Sequence, residues 1–219
     1  MYKYIKYISG IFAIGPQAVK YYKSLSSSWK VFPFQYVTEN KRRDFFPKEG
    51  NLKLLFVGNL TKRKNVLFLL RSLKRISNIT LTIVGTGKEQ SKLEEAAKKY
   101  NLNVAFKGSK PMNEVSSIMQ QHDVLVLPSL HDGWGAVINE ALTLGLFCLV
   151  SDKCGAKALI KDCKNGIIFS LNEKSLVNAL NYCKNNSNQI RNEISNRIEN
   201  SKNISGNSVA EYFINCIKQ

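Results

Sequence analysis

Two carboxylates in "PSLHDGWGAVINEAL", residues 128–142, are spaced for work on a ligand. Asp132 and Glu140 stand eight positions apart, and Gly133 and Gly135 flank Trp134 directly after the first. An acid in a loop and a second acid more than a turn inside the following helix lie too far apart to share one proton, which excludes a close acid/base dyad. They suit hydrogen bonds from hydroxyls at two separate places on one ligand. The glycines permit close backbone approach, and a helix starting near Gly135 aims its unbonded amides at the same place, a cradle for phosphate. A polyhydroxyl ligand with a diphosphate in its middle, a nucleotide sugar, has that pattern. Each acid also has a plainer role, Glu140 as an exposed helix acid and Asp132 as a turn acid before a helix.

Two other segments place charge or glycine where a ligand could sit. "VGNLTKRKNV", residues 57–66, sets Lys62, Arg63 and Lys64 at a helix start, where the macrodipole already disfavours cations. A bound anion would relieve that conflict, and a solvated basic turn is the alternative. "VGTGKEQ", residues 84–90, imitates a dinucleotide fingerprint, but Gln90 stands where the third glycine belongs. A tight turn explains it better than a nicotinamide or flavin site.

These loops need a frame, and the chain from residue 52 onward alternates short apolar runs with helical patterns. "LKLLFVG", "ITLTIVG", "NVAFKG", "DVLVLPS", "LFCLVSD" and "GIIF" read as strands. Between them, apolar residues recur at helical spacing: Val66, Leu69, Leu70 and Leu73; Leu93, Ala96 and Tyr100; Val115, Ile118 and Met119; Val137, Ala141 and Leu144; then Leu176, Leu180 and Cys183. Strands apolar on both faces, alternating with helices, predict an α/β fold: a Rossmann-like, doubly wound parallel sheet of about six strands with flanking helices. Ligands of such sheets bind at the carboxyl ends of strands, which puts the functional loops after Val57, Val84, Phe106, Leu127 and Val150.

The ends of the chain read differently. "IGPQAVKYYKSL" predicts a short helix with Ala18, Val19 and Tyr22 inward, "KVFPFQYV" an extended segment broken by Pro33, and residues 41–50 a charged linker. The tail predicts two amphipathic helices, 188–200 and 208–218.

The order "FVGNLTKRKNV", "LTIVGTGKEQSKLEEAAKKYNLNVAFKG", "HDVLVLPSLHDGWGAVINEALTLG", "LVSDKCGAKALI", "NGIIF" resembles the C-terminal, donor-binding domain of retaining GT-B glycosyltransferases of family 4, over residues 50 to about 185. The resemblance implies that Lys64, assisted by Arg63, binds the donor diphosphate together with amides around Gly133, Trp134 and Gly135. It implies that Asp132, where the family usually has Glu, contacts the donor sugar, and that Glu140 holds the ribose hydroxyls; these two acids are the expected catalytic pair. Lys107, Gly108 and Ser109 fall where members meet the nucleobase. Members react on the sugar's front face, the diphosphate helping to deprotonate the acceptor, without metal or cofactor. Asn59 replaces the usual arginine after the first-strand glycine, Cys154 the first of a glycine pair, and Ala158 a frequent Glu.

Against the resemblance, residues 1–40 read as a remnant of the N-terminal acceptor domain, 51–186 as the nucleotide-sugar-binding domain, and 187–219 as C-terminal helices. Phe12, Trp29, Phe32, Phe34 and the tail helices would then expose apolar surface to a partner chain or a second copy. The expected function is transfer of a sugar from a nucleoside diphosphate sugar to a saccharide or lipid-linked acceptor in cell-surface polysaccharide synthesis. A noncatalytic donor-binding subunit and an inactive truncated remnant are the alternatives.

Composition bounds these readings. The chain of 219 residues carries a net charge of +16, which draws phosphates or an anionic membrane face, although scattered lysines in a Lys- and Asn-rich chain give the same excess by drift. No nucleic-acid motif or aromatic platform accompanies the charge, so nucleic acid is not an expected partner. Five cysteines without a C-x-x-C pair fit a reducing cytoplasm rather than a zinc knuckle or disulfide framework. Lys3 and Lys6 before a short apolar patch loosely resemble a signal peptide but lack a small-residue cleavage site, so that segment is expected in the mature chain. The expected location is the cytoplasm, peripheral at the inner membrane face.

Overall fold

The computed structural model describes residues 7–37, 50–204 and 206–218. The expected linker, apart from Gly50, lies outside the described residues, as do residues 1–6 and 38–40 of the expected N-terminal segment.

The chain begins with β1 (Gly10–Ile14), α1 (Gly15–Leu25) and β2 (Lys30–Phe34), the two strands pairing in parallel from Gly10 with Lys30 to Ile14 with Phe34. Two expectations are corrected here. "GIFAI" forms a strand that sequence reasoning missed, and Pro33 lies inside β2, opposite Ala13, instead of breaking it. Among the described residues β2 pairs only with β1, so the missing proline N–H can face away from the ladder. Ala18, Val19 and Tyr22 of α1 are half-buried, and no residue of that helix is fully buried.

The second sheet contains β3 (Leu52–Val57), β4 (Ile79–Val84), β5 (Val104–Phe106), β6 (Val124–Leu127), β7 (Phe147–Ser151) and β8 (Gly166–Phe169). All are parallel, in the order β5-β4-β3-β6-β7-β8, so the six expected strands and the doubly wound class are present. This order reverses direction between β3 and β6, a topological switch point.

Side-chain alternation along each strand feeds two cores. Leu54, Phe56, Val124, Val126, Phe147 and Leu149 face one layer, which includes α2 (Val66–Leu73), α3 (Gln90–Lys99) and α6 (Glu173–Asn185). Leu55, Leu125, Leu127, Cys148 and Val150 face the other, with α4 (Met112–Gln120) and α5 (Val137–Thr143). Of the predicted inward residues, Val66, Leu69, Leu70, Leu73, Leu93, Ala96, Val115, Met119, Ala141, Leu144, Leu176, Leu180 and Cys183 are buried, whereas Tyr100, Ile118 and Val137 are half-buried. Helix α5 starts at Val137 rather than near Gly135, because Gly135 adopts φ 94° and keeps its segment out of helical geometry.

The tail forms α7 (Ser187–Asn192), α8 (Ile194–Asn200) and α9 (Gly206–Ile217), three helices where two were expected. The break at Glu193 redirects the chain so that Ile190 joins the first core and Ile204 the second. Arg191 fastens α7 to the amino-terminal edge of the sheet: Nε and Nη2 donate to the carboxylate of Asp123 at 3.2 and 3.0 Å, and Nη2 also donates to the carbonyl oxygens of Gly50 and Asn51. Asp123 in turn accepts from the Lys53 amide at 2.9 Å. Helix α9 lays Phe213 on Phe12 with ring centroids 4.6 Å apart, beside Phe32 and Phe34. Phe12, Trp29, Phe32 and Phe34 are therefore half-buried rather than exposed, while Tyr21, Tyr36, Ile214 and Ile217 remain open. Among the described residues no helix is long and apolar enough to cross a membrane.

Candidate functional site

The loops after β3 and β6 meet at the switch point, because the two strands are neighbours with their carboxyl ends on the same edge. After β3 the chain passes Gly58 and Asn59 and makes one tight 3-10 turn over Lys62–Lys64, closed by Asn65 in the left-handed region at φ 56°. The Leu130 amide donates to the Arg63 carbonyl at 2.8 Å, and Arg63 Nη1 donates to the His131 carbonyl at 2.8 Å. These bonds bring Lys64 Nζ to 2.5 Å from Asp132 Oδ2, with Arg63 Nη1 3.5 Å from the same oxygen. Lys64 and Asp132 are nearly buried, their side chains 13% and 12% exposed, whereas Arg63 is half open at 52%.

The two glycines of "VGTGKEQ" serve this arrangement. A Cβ on Gly85 would come within 2.1 Å of the Gly58 carbonyl oxygen, and one on Gly87 within 2.3 Å of the Leu60 carbonyl oxygen. They let the Gly58–Leu60 loop lie directly on the neighbouring strand end, so the pair is close packing and not a dinucleotide fingerprint.

The Asp132 loop is stitched to the segment after β7. Asp132 donates its amide to the Lys153 carbonyl at 3.2 Å, while the Gly155 and Ala156 amides donate to the carbonyls of Asp132 and Trp134 at 3.0 and 2.7 Å. Gly155 is required there, since a Cβ would stand 2.1 Å from the Gly133 carbonyl oxygen. Every one of these bonds except the first uses a loop carbonyl. The amides of Gly133, Trp134, Gly135 and Ala136 donate to no backbone carbonyl among the described residues. Beneath them Cys154 is buried, and burial, then the Asp132 carboxylate, push its thiol up to about 11. It stays protonated and is no nucleophile at neutral pH.

A cavity of about 430 Å³ opens between these loops, lined by Gly58, Asn59, Arg63, Lys64, Asp132, Gly135, Ala136 and Glu140, with Lys110, Met112 and Val115 closing the β5 side. Arg63, Lys64, Asp132, Gly135 and Glu140 are thus brought together, although Lys64 and Asp132 are 68 residues apart in the chain. Gly133 is exposed at the loop tip. Trp134 turns its ring into the second core, 6% exposed, and has only its backbone to offer the cavity. Lys107, Gly108 and Ser109 follow β5 at the sheet edge, where Gly108 accepts from the Gly85 amide, and none of the three lines the cavity wall. That wall is taken by Lys110 and Met112, which sequence reasoning missed; their position just after an expected strand end was the available signal. Lys110 pairs with Glu114 at 2.9 Å. Among the described residues no group of His, Cys, Asp and Glu could hold a metal ion.

Cations and free amides in one wall, with two carboxylates set apart, can grip a phosphate chain at its middle and hydroxyl groups at either end. Residues 37–202 match the family model for glycosyl transferases group 1. The chain is 32% identical over 146 residues to the UDP-Gal:alpha-D-GlcNAc-diphosphoundecaprenol alpha-1,3-galactosyltransferase of Escherichia coli, covering 61% of this chain and 36% of that protein. It is 31% identical over 147 residues to the amylovoran biosynthesis glycosyltransferase AmsD of Erwinia amylovora, covering 65% and 42% respectively. The structure of sucrose-phosphate synthase from Thermosynechococcus elongatus superposes with a TM-score of 0.82 at 20% identity, over 95% of this chain and 57% of that one, a likeness of fold. The chain spans 36% to 42% of the length of these two curated relatives. With three quarters of its residues inside the matched region and the expected GT-B half-fold in place, the chain belongs to the glycosyl transferases of group 1.

Proposed function

We propose that residues 51–186 form the donor-binding domain of a retaining glycosyltransferase that moves a sugar from a nucleoside diphosphate sugar to a saccharide or lipid-linked acceptor. The observation that carries this reading is the convergence of Lys64, Arg63, Asp132 and Glu140 around one cavity at the switch point, under a loop whose amides donate to no backbone carbonyl among the described residues. Lys64, Arg63 and the amides of Gly133, Trp134 and Gly135 take the diphosphate. Glu140 accepts from the ribose hydroxyls, Asp132 from the donor sugar, and the Lys107–Ser109 loop borders the nucleobase. As the bond from the anomeric carbon to the diphosphate oxygen breaks, charge grows on that oxygen. Cations and amides already fixed there stabilise it without reorganisation. The acceptor hydroxyl adds to the same carbon, and its proton passes to the departing diphosphate. The nucleotide sugar is the substrate, and no further cofactor is assigned.

Residues 1–40 are read as belonging to the acceptor-side domain, and 187–219 as helices that cross back to it. Their open apolar residues, Tyr21, Tyr36, Ile214 and Ile217 among them, are the surface for a partner chain or second copy. The named acceptor of the E. coli relative is lipid-linked, and a net charge of +16 favours an anionic leaflet, which supports a cytoplasmic protein working at the inner membrane face. Titration calorimetry with UDP, GDP and ADP tests the reading. One of the three is expected to bind, and Lys64→Ala and Glu140→Ala are each expected to weaken it about tenfold or more. No heat with any of them would contradict it.

A further inference from the structure

A fully buried amide side chain lies behind the donor loop. Asn139 is 0% exposed on α5, one residue before Glu140, on a helix whose other buried residues are Ile138, Ala141, Leu142 and Thr143. Burying an amide among apolar groups is unfavourable unless both of its ends are bonded. Both are: Oδ1 accepts from Trp134 Nε1 at 2.7 Å, and Nδ2 donates to the carbonyl oxygen of Tyr36 at 2.7 Å. Tyr36 follows the end of β2 and lies 103 residues away in the chain. Trp134 makes a second contact with the same N-terminal unit. Its ring lies over Gly15, at the β1–α1 junction, so closely that a Cβ there would stand 2.8 Å from Cζ3. Gly15 has φ 83°, which a side chain would disfavour in any case.

We infer that Asn139 is a positioning residue that clamps the Gly133–Ala136 loop to the N-terminal βαβ unit through the indole of Trp134. An apolar residue in place of Asn139 would leave the indole N–H without its acceptor and the Tyr36 carbonyl without its donor. Two directional bonds at 2.7 Å fix the indole's orientation, and with it the backbone that leads from Gly133 to Gly135 and Ala136 in the cavity wall. The geometry of the donor loop is therefore set in part by β2 and the β1–α1 junction, not only by the sheet that carries it. This inference rests on the donor-site reading for its effect on nucleotide, but the clamp itself does not.

The test uses the full chain with Asn139→Leu, which removes both bonds and keeps the branching of the side chain, and Trp134→Phe, which removes the indole N–H and keeps an aromatic ring in the core. Hydrogen exchange without ligand is read first. Peptides covering 130–137 and 30–37 are expected to exchange faster in Asn139→Leu, with those covering 52–57 unchanged. Calorimetry with whichever of UDP, GDP and ADP binds the unmodified chain tightest follows. Each variant is expected to raise Kd about tenfold, and the double variant to be no worse than either, because the two side chains share one bond. Unchanged exchange in both segments overturns the clamp, whereas faster exchange in both with an unchanged Kd upholds the clamp and overturns its effect on the nucleotide site. Should Asn139→Leu not fold, Trp134→Phe alone must show the 130–137 effect. If the unmodified chain binds none of the nucleotides, the donor reading fails and the exchange result still decides the clamp.

Discussion

Neutralising Asp132 should tighten the binding of a nucleoside diphosphate that carries no sugar. In the free protein the lysine assigned to the diphosphate is occupied, its Nζ lying 2.5 Å from Asp132 Oδ2. A diphosphate has to share that lysine with a carboxylate. Both side chains are only about one-eighth exposed, so the pair falls between an open surface pair and a buried one. Open pairs are worth about 0.2–1 kcal/mol, whereas breaking a buried pair costs about 3–5 kcal/mol. A competition of about 1–2 kcal/mol follows from that interval, or roughly tenfold in Kd. Asp132→Asn keeps the size and one acceptor oxygen while removing the competitor. Calorimetry with the preferred of UDP, GDP and ADP should give roughly tenfold tighter binding for this variant, and ten- to hundredfold weaker binding for Lys64→Ala, which loses a charge-assisted bond worth about 1.5–3 kcal/mol. With the sugar-bearing donor, Asp132→Asn should show no such gain, because the sugar loses its acceptor. If Asp132→Asn instead weakens the bare diphosphate as Lys64→Ala does, Asp132 holds the lysine in place rather than competing for it.

Three further outcomes follow from the packing. Arg191→Ala leaves Asp123 buried without its guanidinium and should cost about 3–5 kcal/mol in urea unfolding, part of which Asp123→Asn should restore when added. Gly155→Ala drives a methyl to 2.1 Å from the Gly133 carbonyl oxygen, so it should displace the loop and abolish nucleotide binding in calorimetry while the protein still unfolds cooperatively. Burial pushes the thiol of Cys148 up to about 12 and that of Cys154 up to about 11 from an ordinary 9.0. Between about pH 9 and 11 the unfolded chain ionises these thiols and the folded one does not, so unfolding free energy should decline as pH rises through that window, less so in Cys154→Ala.

The six-stranded sheet was legible because most of its strands are apolar through both faces, β6 (VLVL) and β7 (FCLVS) most clearly, a pattern that a doubly covered parallel sheet requires. What stayed hidden depended on distant partners. "GIFAI" follows Lys3 and Lys6 and reads as the apolar patch of a leader-like segment, and it becomes a strand because Lys30–Phe34 lies beside it. Pro33 suggests a break until its strand is seen to be an edge. The split between α7 and α8 accompanies the placing of Ile190 in the first core and of Ile204, beyond α8, in the second. In the site, the spacing of Asp132 and Glu140 was readable from a single stretch, but the Lys64–Asp132 pair joins two loops whose proximity depends on the β3–β6 register. Asn139 gave no signal at all, since a polar residue on an amphipathic helix reads as exposed until Trp134 and Tyr36 are found on either side of it.

One cavity is proposed to hold the donor by both its diphosphate and its ribose. A crystal structure of the full chain with the tightest-binding of UDP, GDP and ADP tests it directly. The diphosphate should lie within hydrogen-bonding distance of Lys64 Nζ and the Gly133–Ala136 amides, with the ribose hydroxyls on Glu140. A nucleotide bound elsewhere, such as in the cavity between Leu159–Asn165 and Arg197–Ile204, would contradict it.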